Sequence, residues 1–366
     1  MNKIIEIRNK INRLGYDKLV KPILFLFEPE LIHNTFIKIG KILGSNVITK
    51  FLISFAFNYQ NRVLEQKILG IRFKSPIGLS AGFDKNGEMI SIMEDVGFGF
   101  VEIGSITARS SKGNPGKRLE RLVDRRALWV NFGLNNKGAD INYERLKDKK
   151  YNFPIGISVA KTNCRETRNE KIGLQDYLYT INKFKNLADF LVLNISCPNA
   201  FGGRAFSSPD LYKKLLEGIR KIRVKKPIFT KISPDSSHSD INEIIKLSEK
   251  YEIQGFICTN LRKEHEFSKG GLSGKAIEAK SNEILEYVYK KANSKKKKFI
   301  IIGVGGIFNA KDAYKKIKLG ADLVQLITGM IYQGPSLIGE INYELAKLLK
   351  KDGHTNISLA IGADVK

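Results

Sequence analysis

Phe190-Leu191-Val192-Leu193-Asn194-Ile195-Ser196-Cys197-Pro198-Asn199 joins a short apolar run to a polar, kinked tail. Continuous apolar character over so few residues suits a parallel strand covered on both faces. The tail then sets two carboxamides and a thiol at the strand's end, with Pro198 bending the chain. A carboxamide carries donors and acceptors on one planar group, so a pair can hold a flat polar heterocycle by its edges. A thiolate beside that ring can take a proton from it.

The same pattern recurs along the chain. Short apolar runs at Ile77–Ala81, Phe100–Ile103, Ile155–Val159, Phe190–Ile195, Ile228–Ile232, Gly255–Thr259, Phe299–Gly303 and Leu323–Leu326 alternate with amphipathic helical segments. Eight βα units with right-handed crossovers predict an α/β fold, a closed (β/α)8 TIM barrel. Residues just after each strand would then form the active face. Polar or glycine-rich residues do follow most runs: Gly82-Phe-Asp-Lys85, Gly104-Ser105, Lys161, Ser196-Cys197, Ser233, Asn260, Gly305-Gly306 and Thr328-Gly329. That clustering argues for function more strongly than any one residue.

Residues 1–70 read differently, as helices over Lys3–Leu14, Pro29–Leu43 and Val47–Phe57. Glu28-Pro29 is a helix start with proline in the first turn. Phe25, Phe27, Leu31, Phe36, Ile37, Phe51, Leu52, Phe55 and Phe57 are more apolar material than three short helices can hide among themselves. Two readings stand: packing onto the barrel, or an interfacial element that admits a greasy ligand from a membrane. The expected division is a helical segment at 1–70 and a barrel at 71–366.

The 366-residue chain is 42% hydrophobic, enough for a sizeable core. Its three cysteines, Cys164, Cys197 and Cys258, are far apart and read as reduced thiols; with no CxxC pair, no metal site is expected. The net charge of +25 suits a nucleic-acid partner, an anionic membrane, or simply a lysine-rich solvated surface. The lysines are scattered and few aromatics interleave with them, and the dense run Lys295–Lys298 reads as a loop. No nucleic-acid partner is therefore expected. No signal peptide is evident, and the longest apolar stretch, near Val47–Phe57, is far short of the ~20 residues that span a bilayer.

Two glycine-rich turns close the barrel, Gly303-Val-Gly-Gly306 and Thr328-Gly329. Glycine lets the backbone approach a phosphate and present N–H groups to it. Barrels commonly build a phosphate site after strands seven and eight, so a phosphate-bearing cofactor is expected. No strand–GxGxxG–helix unit supports a Rossmann dinucleotide site. Lys231 ends the fifth run and can offset charge on a reduced ring, or snorkel to solvent. Lys85 follows the first run and can pair a substrate carboxylate, or lie in a surface turn.

The chain resembles dihydroorotate dehydrogenase, of the membrane-associated, quinone-using class. The resemblance rests on Ala81-Gly-Phe-Asp-Lys-Asn-Gly87, Glu102-Ile-Gly-Ser105, Gly113-Asn-Pro115, Arg118-Leu-Glu-Arg-Leu122, Gly133-Leu-Asn-Asn136, Asn194-Ile-Ser-Cys-Pro-Asn199, Gly270-Gly-Leu-Ser-Gly274, Ile302-Gly-Val-Gly-Gly-Ile307 and Thr328-Gly-Met-Ile-Tyr-Gln-Gly-Pro335. These stand in family order, and Pro29-Glu-Leu-Ile-His33 resembles the quinone class's helical extension. The resemblance implies a barrel holding FMN and oxidation of dihydroorotate to orotate, the redox step of pyrimidine synthesis. It implies a membrane quinone as acceptor, reached between the N-terminal helices, and peripheral attachment to the cytoplasmic face of the cell membrane. Residue by residue, it places Cys197 as base, and Lys85, Asn194, Asn199 and Asn260 on the substrate, with Asn131 as a further candidate. It places Ala81, Gly82, Ser105, Ser158, Lys231, Thr259, Gly274, Gly303, Gly305, Gly306, Thr328 and Gly329 on FMN, and His33 and Arg121 near the quinone.

Some residues depart from the family pattern. The quinone class usually has serine at the base position, where this chain has Cys197. Cysteine is the easier base, with a reference pKa of about 8.5 that nearby cations lower further. Family polar residues fall on Val130, Ser158, Leu261 and Ile327, and Asn131 stands one place after the missing carboxamide. These departures keep open a diverged FMN oxidoreductase on another dihydropyrimidine. A tRNA-dihydrouridine synthase shares the Asn-x-x-Cys-Pro motif, but here the extra helices precede the barrel and little chain follows Pro335. A non-catalytic membrane-surface module is the reading from a different class.

Overall fold

The structure, a computed structural model, describes residues 2–196, 206–293 and 298–365. Its strands in chain order are β1 (Gln66–Ile68), β2 (Ile71–Phe73), β3 (Ile77–Leu79), β4 (Phe100–Ile106), β5 (Leu119–Leu122), β6 (Ala127–Val130), β7 (Ile155–Val159), β8 (Phe190–Leu193), β9 (Ile228–Ile232), β10 (Gly255–Cys258), β11 (Gly271–Gly274), β12 (Ile300–Val304) and β13 (Leu323–Leu326). Eight of them close a parallel barrel in the order β3-β4-β7-β8-β9-β10-β12-β13, with β13 pairing back onto β3. These are the eight apolar runs of the sequence, and the fold is the expected (β/α)8 barrel.

Alternation decides what fills the barrel. Phe100, Phe190, Val192, Phe229, Ile257, Ile302 and Leu323 form one buried cluster. Its rings meet edge to face, Phe190 on Phe229 at 5.5 Å between centroids. Gly78 and Gly156 make the room: a Cβ on either would come within 2.3 Å and 2.2 Å of the Phe100 and Phe190 rings. Two positions further along β4, β8 and β9 the inward residues become polar, at Glu102, Asn194 and Lys231. The barrel is thus apolar below and polar at its C-terminal mouth.

Two additions were not legible in the sequence. The β1–β2 hairpin adds Ile68 and Phe73 to the interior cluster and plugs the barrel's N-terminal end. Strands β5, β6 and β11 form a small antiparallel sheet, with β6 in the middle.

The N-terminal helices are α1 (Asn2–Gly15), α2 (Lys21–Phe25), α3 (Pro29–Leu43) and α4 (Val47–Phe57), with a π-helical turn over Tyr16–Val20. Pro29 opens α3 in its first turn, and the Asn46 side chain caps α4 by accepting from Ile48 N and Thr49 N. α4 packs on α5 (Ile90–Val96). Arg13 pairs with Glu340, and Tyr16 donates to Ile331 O at 2.7 Å, so this segment is tied to the barrel's last helices. Around the barrel run α6 (Ala139–Leu146), α7 (Glu170–Phe184), α8 (Pro209–Ile222), α9 (His238–Lys250), α10 (Glu278–Asn293) and α11 (Ala310–Lys318). They are followed by α12 (Thr328–Gln333) and α13 (Leu337–Lys351).

The outer faces of α1 and α4 stay uncovered. Ile4, Ile7, Ile11 and Leu14 recur at helical spacing on α1, and Val47, Ile48, Phe51, Leu52 and Phe55 on α4; all are exposed, Phe55 at 74%. Among the described residues no single helix is long and apolar enough to cross a membrane, and α3 and α4 meet at a 115° bend.

Candidate active site

The C-terminal ends of β3, β4, β8, β9, β10, β12 and β13 open into one cavity. Most of the residues singled out from the sequence line it: Lys85, Asn194 and Asn260, then Ala81, Gly82, Ser105, Lys231, Thr259, Gly274, Gly305, Gly306, Thr328 and Gly329, with His33 on its rim. Ser158, Gly303 and Asn131 lie outside the lining. Ser158 stands one step back, sharing a 2.8 Å hydrogen bond with Ser105. Asn131 is buried with its carbonyl accepting from Asn114 Nδ2 at 2.8 Å. Cys197 and Asn199 lie outside the described residues.

A ladder of polar groups crosses the cavity floor. Asn260 Nδ2 donates to Asn194 Oδ1 at 3.0 Å, and Asn194 Nδ2 to Ser105 Oγ at 2.8 Å. Each amide keeps further donor and acceptor capacity, on groups whose orientation the ladder fixes. Lys231 is 4% exposed, donates to Ser80 Oγ at 3.3 Å, and lies 3.6 Å from the fully buried Glu102 carboxylate. Thr259 Oγ1 is buried without a hydrogen-bond partner among the described residues.

The opposite wall is bare backbone. Gly305 and Gly306 adopt φ of +111° and +78°, and a Cβ on Gly306 would come within 2.4 Å of Glu278 Cβ. Only glycine takes this turn without strain. Among the described residues, the N–H groups of Gly305 and Gly306 donate to no protein acceptor. On the neighbouring strand end, Ser273 and Thr328 share a 2.8 Å hydroxyl hydrogen bond.

Lys85 joins this cavity to a second one. Its ammonium is 3.1 Å from His33 Nε2 and 3.8 Å from the Phe132 ring centre. Burial lowers the Lys85 pKa to about 8 and, helped by the Lys85 charge, holds His33 well below its ordinary value. His33 also lines a mainly apolar cavity beneath the N-terminal helices, along with Tyr16, Phe25, Phe36, Arg121 and Pro335. The two cavities share His33, Phe83, Leu119, Leu128 and Ile331. Arg121 sits over the Phe25 ring at 4.5 Å and donates to Phe27 O, and its buried Nε has no partner among the described residues. Burial lowers its pKa and pushes the Tyr16 hydroxyl up to about 12.

A family model described as dihydroorotate dehydrogenase matches residues 63–349. The chain belongs to the dihydroorotate dehydrogenase family. It is 40% identical to a dihydroorotate dehydrogenase (quinone) of Sulfurimonas denitrificans, over 95% of this chain and 98% of that one. It is 38% identical to one of Sulfurovum sp., over 96% and 99%. Among solved structures, DHODH from Eimeria tenella in complex with ferulenol superposes with a TM-score of 0.82 at 28% identity, covering 93% of this chain and 98% of that one.

For a dihydroorotate dehydrogenase family member, the departures now have locations. Val130, Leu261 and Ile327 all line the barrel-mouth cavity and give it apolar surface. Reading the sequence missed Ser80, Phe132 and Ser273, each of which orients a lining residue. Ser80 and Phe132 had no local signal. The β5–β6 hairpin that supplies Leu119, Leu128 and Val130 had none either, since neither Leu119-Glu-Arg-Leu122 nor Ala127-Leu-Trp-Val130 alternates apolar with polar.

Proposed function

We propose that this chain oxidises dihydroorotate to orotate with FMN as cofactor and passes the electrons to a membrane quinone, within pyrimidine synthesis. The observation that carries the reading is the pair of cavities, one polar at the barrel mouth and one apolar under the helices, joined at His33. A polar heterocycle and a greasy acceptor need different solvents, and this arrangement offers both beside one another.

The residues present fit FMN. The N–H groups of Gly305 and Gly306, without acceptors among the described residues, suit a phosphate, and the Thr259 hydroxyl, likewise unpartnered among them, and the buried Lys231 suit the polar edge of a ring system. FMN held there would supply a hydride acceptor for the substrate and an electron donor for the quinone. Lys85 pairs the orotate carboxylate, and Asn194 and Asn260 hold the ring's amide edges. Cys197, with Asn199 beside it in the sequence, takes the substrate's C5 proton. Arg121 Nε and His33 supply polar contacts for a quinone carbonyl in an otherwise apolar cavity.

The exposed apolar faces of α1 and α4 support peripheral attachment to the cytoplasmic face of the cell membrane, where a quinone would enter from the bilayer. The surplus of cations suits an anionic lipid surface.

The test is spectroscopic. Purified protein should be yellow, bleach on anaerobic addition of dihydroorotate, and recover colour with a soluble quinone analogue. Protein that binds FMN but does not bleach sinks the substrate assignment. The apolar surface at Val130, Leu261 and Ile327 favours, as a second reading, another dihydropyrimidine; a substrate panel scored by bleaching separates the two.

A further inference from the structure

The turn Gly303-Val-Gly-Gly306 stands on a buried lysine. Lys316, on α11, is 1% exposed and reaches between α11 and α10. Its ammonium donates to Ser281 Oγ at 3.0 Å and Asn282 Oδ1 at 2.7 Å. Both acceptors are neutral. The nearby carboxylates of Glu278 and Asp312 are already paired with Lys275, and among the described residues none lies within ion-pair distance of Lys316. A buried cation with no carboxylate in contact is costly: burial brings this one's pKa down to about 7, against the more distant charges of Glu278 and Asp312.

The lysine and the turn are in contact. A Cβ on Gly303 would come within 3.3 Å of Lys316 Cδ, and one on Gly305 within 3.1 Å of Ser281 Oγ. Ser281 Oγ donates to Val304 O, so Lys316 reaches the turn's backbone through one hydroxyl. The peptide between Val304 and Gly305 is planar, so engaging its carbonyl turns the Gly305 N–H the other way. That N–H belongs to a residue lining the cavity and has no protein acceptor among the described residues. Among the described residues, the unpaired cation and the turn's unpartnered N–H groups therefore lie on the two sides of one turn.

We propose that Lys316 is a positioning residue for the flavin phosphate, supplying charge from behind the turn and, through Ser281, aiming its N–H groups at the anion. This rests on the FMN reading above. Lys316 does not line the cavity, so its effect should follow the phosphate alone.

Riboflavin lacks that phosphate, which provides the test. The full chain, stripped of flavin, is titrated with FMN and with riboflavin, as wild type, as Lys316→Met and as Asn282→Ala. The second variant keeps the lysine, removes one anchor, and covers a failure of Lys316→Met to fold. Lys316→Met should bind FMN about tenfold more weakly, the size expected for losing a unit charge near an anion in a partly desolvated site, with riboflavin affinity unchanged. Asn282→Ala should show a smaller loss with the same selectivity. Unchanged FMN affinity overturns the proposal, and so does an equal loss of both flavins, which marks a merely structural lysine. If wild type binds neither flavin, the FMN reading itself falls and takes this inference with it.

Discussion

Lys85 shows how burial sets a residue's chemistry. With its pKa lowered to about 8, it is still charged at neutral pH and can pair a carboxylate. Substrate binding favours the protonated form, so affinity is full below that pKa and lost as pH rises through it. We expect kcat/KM for dihydroorotate to fall above about pH 8, and Lys85→Met to remove both the affinity and that limb of the profile. A profile flat to pH 10 in wild type would contradict the assignment. At Cys197 the expectation comes from the sequence. Cys197→Ala should keep bound FMN and lose about 100-fold or more in turnover with dihydroorotate, the usual worth of a general base. Unchanged steady-state turnover would refute the role. Asn194, Asn260 and Lys231 were legible because each sits at the end of an apolar run. The ladder from Asn260 through Asn194 to Ser105 was not, because its members are 66 and 89 residues apart in the chain.

At the scale of elements, the N-terminal helices show what a pattern can and cannot say. Helical periodicity located α1, α3 and α4, and the Glu28-Pro29 start and the Val47–Phe57 span match the sequence reading. Periodicity did not decide which apolar face is covered. The structure leaves Phe51 and Phe55 on the outer face of α4, at 67% and 74% exposure. Burying a phenylalanine in an apolar phase is worth roughly 1.5–3 kcal/mol. Phe51→Asp with Phe55→Asp should therefore weaken vesicle co-sedimentation by more than about tenfold while sparing turnover with a water-soluble quinone analogue. Equal sedimentation of wild type and variant would remove α4 from the membrane proposal. The small sheet of β5, β6 and β11 went unread for a different reason. Its third strand lies about 140 residues after the second, and only the fold brings Gly271 opposite Val130.

On the scale of the whole molecule, the barrel interior is a ring of aromatics accommodated by glycines. Phe100 is fully buried against Phe73 and Phe190, and Gly78 gives it space. Phe100→Ala should cost about 3–5 kcal/mol in denaturant unfolding, since the surrounding closed strands cannot collapse into the void. A loss under about 1 kcal/mol would mean that the interior is loosely packed. Apolar runs of strand length, repeated eight times with polar ends, by themselves determined the barrel, because burial on both faces leaves little other use for such runs. The same runs put the glycine turns, Lys85, Lys231 and the carboxamides at one mouth. Only the tertiary structure decided that His33, from a helix outside the barrel, touches Lys85 and joins two cavities. Only it set Lys316 behind the turn at Val304, because hydrogen bonds and desolvation act through space and leave no mark on local spacing.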